Sequence, residues 1–202
     1  MEYKFLIDTY DTERLKILSV WSMFSDKDLT VRPNPTDKRG RNLLEQMVHQ
    51  CTSENIWFCK MFGIDVKAPP LPENETRLNF IRRYAVDSGL RYEALQEKDS
   101  NWWEEEVDFF DVKRSRAWIM TRRISHAAQH RGQLITMLRV LGNEVHSVYG
   151  PSGDSGGLPQ NNAKTIYAYP DIESLIKGEE IGGRKAELPG PGDLPCTERP
   201  DL

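Results

Sequence analysis

The sequence predicts an all-α fold, a four-helix bundle followed by an irregular Gly/Pro-rich C-terminal extension. Two observations carry this prediction. Four segments repeat apolar residues at steps of three and four, the spacing of one helix face. From Gly142 onward the pattern ends, and that last third holds most of the chain's 14 glycines and 12 prolines. The expected organisation is a bundle over residues 1–145 and an extension over 146–202, packed on the bundle or on a partner subunit.

The first helix is expected over residues 11–24, where Leu15, Leu18, Trp21 and Phe24 recur at three-residue steps. A loop with Pro33 and Pro35 follows. The second helix is expected over 42–62, because Asn42 with Glu45 three residues later forms an Asn variant of the capping box. Its apolar stripe is Leu44, Met47, Cys51 and Phe58. The prolines between Ala68 and Pro72 separate it from a third helix over 75–98, with a seam of Leu78, Ile81, Ala85, Ser88, Tyr92 and Leu95. A linker carries Trp102, Trp103, Phe109 and Phe110, more aromatic surface than a short connection needs. These rings are expected to cover a bundle end or to meet a second subunit. The fourth helix is expected over 113–141, with Gly142 as C-cap, and a short helix near 170–177.

Composition removes several function classes. The 202 residues are 38% hydrophobic and 29% charged, ordinary for a soluble globular protein. A net charge of −4 argues against general nucleic-acid binding. The start, MEYKFLIDTYD, has acidic residues where a signal peptide needs a basic region, and no apolar run has the length of a membrane span. The three cysteines, Cys51, Cys59 and Cys196, form no CxxC pair and read as reduced thiols of a cytoplasmic protein.

The chemistry concentrates in SHAAQHRGQL, where His126 and His130 stand four apart on one face of the fourth helix, able to reach one ion. Ala127 follows His126, so the glutamate base of the HExxH metalloprotease helix is missing. A third ligand must come from another helix. His49 on the second helix is the leading candidate, but Glu45, Thr52 and Ser53 flank it, and the wheel alone leaves it on the solvent side. The two readings agree only if an ion lies in a wet cleft at the side of the bundle. His146 reads as a surface loop residue.

Three segments together resemble the DinB/YfiT-like metalloenzymes: RPNPTDKRGRNLLEQMVHQ around His49, SHAAQHRGQLITMLRVLG around the pair, and YGPSGDSGGLP after it. The resemblance covers roughly residues 8–159. It implies a four-helix bundle, often dimeric, with a divalent metal held by His49, His126 and His130. Similar proteins use such an ion to activate a low-molecular-weight thiol. In a mycothiol-dependent branch a glutamate can occupy the middle ligand position, so His126 brings this chain nearer to the bacillithiol-transferase-like pattern.

Three neutral imidazoles leave a position for water or substrate, and suit zinc or nickel. The functional expectation is a thiol S-transferase in a homodimer, taking a small-molecule thiol and an acceptor. The alternatives are a metal-binding bundle without turnover and a metal-dependent hydrolase. Arg123, three residues before His126, either binds a substrate anion or pairs with a bundle carboxylate. Gln133 either orients a ligand from behind or serves packing.

Overall fold

The structure is a computed structural model and describes residues 2–193 and 195–199. Four long helices form the bundle: α1 (Lys4–Ser22), α2 (Leu43–Met61), α3 (Arg77–Gln96) and, after a short α4 (Ser100–Glu104), α5 (Arg116–Val140). Between α4 and α5 the chain makes a two-stranded antiparallel hairpin, β1 (Glu106–Phe109) and β2 (Val112–Ser115), with Phe109 opposite Val112. A last helix, α6 (Ile172–Glu180), lies in the extension.

Local chemistry explains most of the boundaries. Asn42 caps α2 by accepting from the Glu45 amide, while the Glu45 carboxylate accepts from the Asn42 amide, the reciprocal pair read from the sequence. Thr76 caps α3, Ser115 caps α5 and Asp171 caps α6, each through a side-chain oxygen. Gly142 follows α5 with φ +73°, the left-handed stop that glycine adopts without strain. Two expectations are corrected. The first helix starts at Lys4, because Leu6, Ile7 and Tyr10 are buried and reward two further turns. The aromatic linker is not a plain connection, since it folds into α4 and the hairpin.

The interior has two apolar clusters. One gathers Trp21, Leu43, Met47, Phe80, Tyr84 and Leu138 with residues of the extension, among them Tyr169 and Leu175. The other gathers Leu6, Tyr10, Phe58, Phe62, Trp103 and Ile119. On α2, Cys51 belongs to the first and Trp57 to the second, and Glu54 lies between them. Arg91 on α3 and Arg123 on α5 hold the same intermediate position between cluster residues. A charged layer thus separates two apolar ones.

The extension packs on α1 and α3 through α6 and the segment before it. His146, expected at the surface, is instead buried, with its Nε2 at 2.8 Å from the Ala186 carbonyl oxygen. Glu179 is buried here too and binds Arg77, Lys185 and the Tyr169 hydroxyl. No helix among the described residues is long and apolar enough to cross a membrane.

Candidate metal centre

The facing sides of α2 and α5 bring the histidines together. His130 Nε2 lies 3.1 Å from His49 Nε2 and 3.1 Å from His126 Nε2. The three form the group of metal-capable side chains found among the described residues, with their ligand atoms within 4.8 Å of one another. An ion bonded to imidazole nitrogen at about 2.0–2.1 Å separates adjacent ligands by roughly 3.0–3.4 Å, so this donor set fits a divalent metal. His130 is buried, whereas His49 and His126 are half-buried. The wet flank of His49 was a true feature of its helix, because the cluster lies at the side of the bundle. Beside His49 opens a cleft of about 690 Å³, lined by Arg41, Val48 and Thr52 among others.

All three rings are held neutral. Burial, then Arg123 and the neighbouring imidazoles, push His126 down to about 4. Burial, then His49, Arg41 and Arg123, push His130 down to about 4. His49 is lowered as well, by burial and then by Arg41 and Arg123. A depressed pKa keeps the lone pairs available near neutral pH, as metal binding requires.

The groups behind the rings differ in character. His126 stacks nearly parallel on Trp57, with centroids 5.8 Å apart and planes 8° apart. Arg123 Nη1 donates to His126 Nδ1 at 3.0 Å. A guanidinium only donates, so in the metal-free protein the proton of the neutral His126 ring sits on Nε2. Arg123 is itself held by Glu54, whose Oε2 accepts from Nη2 at 2.6 Å. Glu54 is 1% exposed and also accepts from Tyr10 and Tyr84, at 2.7 Å each, and from Arg91 at 3.2 Å. Burial alone would raise this carboxyl, but the two guanidiniums and the hydrogen bonds bring it down to about 2. Arg123 thus makes the bundle ion pair that was one of its two readings.

Gln133 accepts from Gln46 at 2.9 Å and ties α5 to α2. Its amide favours the charged form of His130, yet His130 Nδ1 has no hydrogen-bond partner among the described residues. Gln133 therefore lies next to the cluster without completing a hydrogen bond to it. Sequence reasoning missed Glu54 and Trp57. A charge at position 54 inside the stripe of Met47, Cys51 and Phe58 was the signal for the first. Cys51 is not a competing nucleophile, because burial pushes its thiol up to about 12.

Comparison with known proteins agrees with this architecture. The DinB family model matches residues 6–157. A DinB-like protein from Bacillus cereus ATCC 10987 is similar in structure at a TM-score of 0.63 and 20% identity, over 71% of this chain and 95% of that one. A DinB-like protein, YjoA, from Bacillus subtilis is similar at a TM-score of 0.55 and 17% identity, over 69% of this chain and 94% of that one. No protein of curated function matches.

Proposed function

Because this chain belongs to the DinB family, we propose that His49, His126 and His130 hold one divalent ion, zinc or nickel, and that the protein is a transferase activating a low-molecular-weight thiol there. The observation that carries the reading is the convergence of three imidazoles, with His130 Nε2 at 3.1 Å from the Nε2 of each of the other two and all ligand atoms within 4.8 Å, beside an open cleft. Three protein ligands leave a position for a small molecule, which is the arrangement of catalytic rather than structural sites. The ion would supply acidification of a thiol or water that it binds.

The protein's own part is placement. Trp57 fixes the plane of the His126 ring. An ion on Nε2 would move the ring proton to Nδ1, so the Arg123 hydrogen bond of the metal-free ring would give way while Glu54 keeps hold of the guanidinium. The depressed imidazole pKa values keep the ligand set neutral, so the site does not need alkaline conditions to form. The cleft beside His49 gives a small molecule access from solvent. Ala127 stands where the metalloprotease helix carries its glutamate base, which favours transfer through an activated thiol over hydrolysis by a base-assisted water.

The test is to load the protein with zinc or nickel and follow the consumption of several low-molecular-weight thiols with an electrophilic acceptor. Turnover should require the metal and disappear in His126→Ala. Equal turnover by the metal-free protein would refute the reading.

A further inference from the structure

The three histidines sit between two open surfaces of opposite character. On the His49 side, Lys38 and Arg41 line the cleft and are exposed. Their neighbours Arg32 and Arg39 are tied to Glu45 and Asp37. Lys38 and Arg41 have no carboxylate within ion-pair reach among the described residues, although the charge of Arg41 is felt by Glu45 on the same lining. Glu75 is the acid on the same lining that no cation engages. The field of Arg41 reaches both His49 and His130.

On the His126 side the surface is aromatic. Trp57, stacked on His126, meets Phe109 at 5.4 Å and Phe110 at 6.4 Å, and Phe109 meets Trp118 at 5.2 Å. Phe110 is 74% exposed and its ring is left largely in water, while Trp118 is 43% exposed with the Arg114 guanidinium over its ring at 5.4 Å. Phe110 occupies the first position of the two-residue hairpin turn with φ +53°, a left-handed conformation that a bulky residue adopts only under strain. The positive φ is what the two-residue turn demands of its first residue, and the turn holds the Phe110 ring beside Trp57 and Phe109.

We propose that the site takes an amphipathic small molecule. Its anionic group lies at Arg41 and Lys38, and its apolar, ring-sized portion lies on the Phe110–Trp118 platform. The reacting atom is then carried over the three histidines. Between the two ends, the stretch of α2 from His49 to Trp57 is eight residues, about 12 Å of helix rise. This inference rests on the metal-dependent reading above and names its substrate class. A second copy of the chain fits the platform less well. Charged residues Asp108, Asp111, Lys113 and Arg114 interrupt the hairpin, leaving a patch continuous with the histidines instead of the broad apolar face of a stable dimer.

The test uses zinc-loaded full-length protein and two probes of matched length, 6-phenylhexane-1-sulfonate and the neutral 6-phenylhexan-1-ol, titrated by calorimetry. Sulfonate is a poor metal ligand, so its binding reports the cations. The sulfonate should bind about fivefold more tightly than the alcohol, and Arg41→Ala should remove that preference while leaving the alcohol within about twofold. Phe110→Ala should weaken both probes about fivefold. Zinc content should be unchanged in both variants. Equal affinity for the two probes, or no binding below millimolar concentration, would overturn the proposal. So would a Phe110→Ala protein that binds both probes normally but shifts from dimer to monomer in light scattering, since the platform would then be a subunit contact. Failure of the wild-type protein to take up zinc would refute the metal reading separately, and the probe ranking on the metal-free protein would still decide the substrate class.

Discussion

Replacing Glu54 with Gln tests the charged layer that separates the two apolar clusters and steers His126. The carboxylate is 1% exposed and faces two guanidiniums, Arg123 at 2.6 Å and Arg91 at 3.2 Å. Its descent from 4.5 to about 2 despite burial corresponds to about 3 kcal/mol in favour of the charged form, at about 1.4 kcal/mol per pH unit. Removing one partner of such a buried pair costs about 3–5 kcal/mol, because the guanidiniums stay buried without their counter-charge. We expect Glu54→Gln to lower the unfolding free energy in urea by about 3 kcal/mol at pH 7. The carboxyl is depressed in the folded state, so its contribution is complete above the unfolded value of 4.5 and is lost as pH falls toward about 2. The gap between wild type and variant should therefore stay constant from neutral pH to about 5 and narrow below it. A loss under about 1 kcal/mol, or a gap that opens on acidification, would refute the reasoning.

Three further predictions concern the site and the bundle end. His126 and His130 are depressed to about 4, so zinc affinity should fall only gently between pH 7 and 5 and steeply as pH approaches 4. Chelator competition across that range checks it, and a steep loss beginning near pH 6.5 would mark ordinary exposed histidines. In the metal-free protein the same depression makes acid destabilising, because the unfolded chain binds protons from about 6.5 downward while the folded rings resist them to about 4. Trp103 is fully buried between Tyr3 and Trp102, so Trp103→Ala should cost about 3–5 kcal/mol in urea unfolding.

Much of this architecture was legible because helices announce themselves through period and caps. The Asn42–Glu45 pair, Gly142 and the four-residue step of His126 and His130 each state a local rule that tertiary structure then obeyed. The hairpin was harder to read, since its turn is made by Phe110 and Asp111 rather than by the glycine or asparagine that such turns favour. The charged layer was written in the sequence as residues out of place. Glu54, Arg91 and Arg123 fall inside apolar stripes, but partnership across helices is not a periodic property, and no wheel drawn for one helix reveals it. His146 was misread for a related reason. Its surroundings are built by the extension folding back, with Ala186 meeting it 40 residues later in the chain.

The most direct test of the account is the metal content of the purified protein, compared with His130→Ala. Both should be matched in helicity by circular dichroism, dialysed against zinc and then nickel, and analysed for bound metal. The account predicts one ion per chain in the wild type and a nearly empty variant, since two imidazoles hold an ion far more weakly than three. A wild-type protein that retains no stoichiometric metal, or a His130→Ala protein that holds it as tightly, would contradict it.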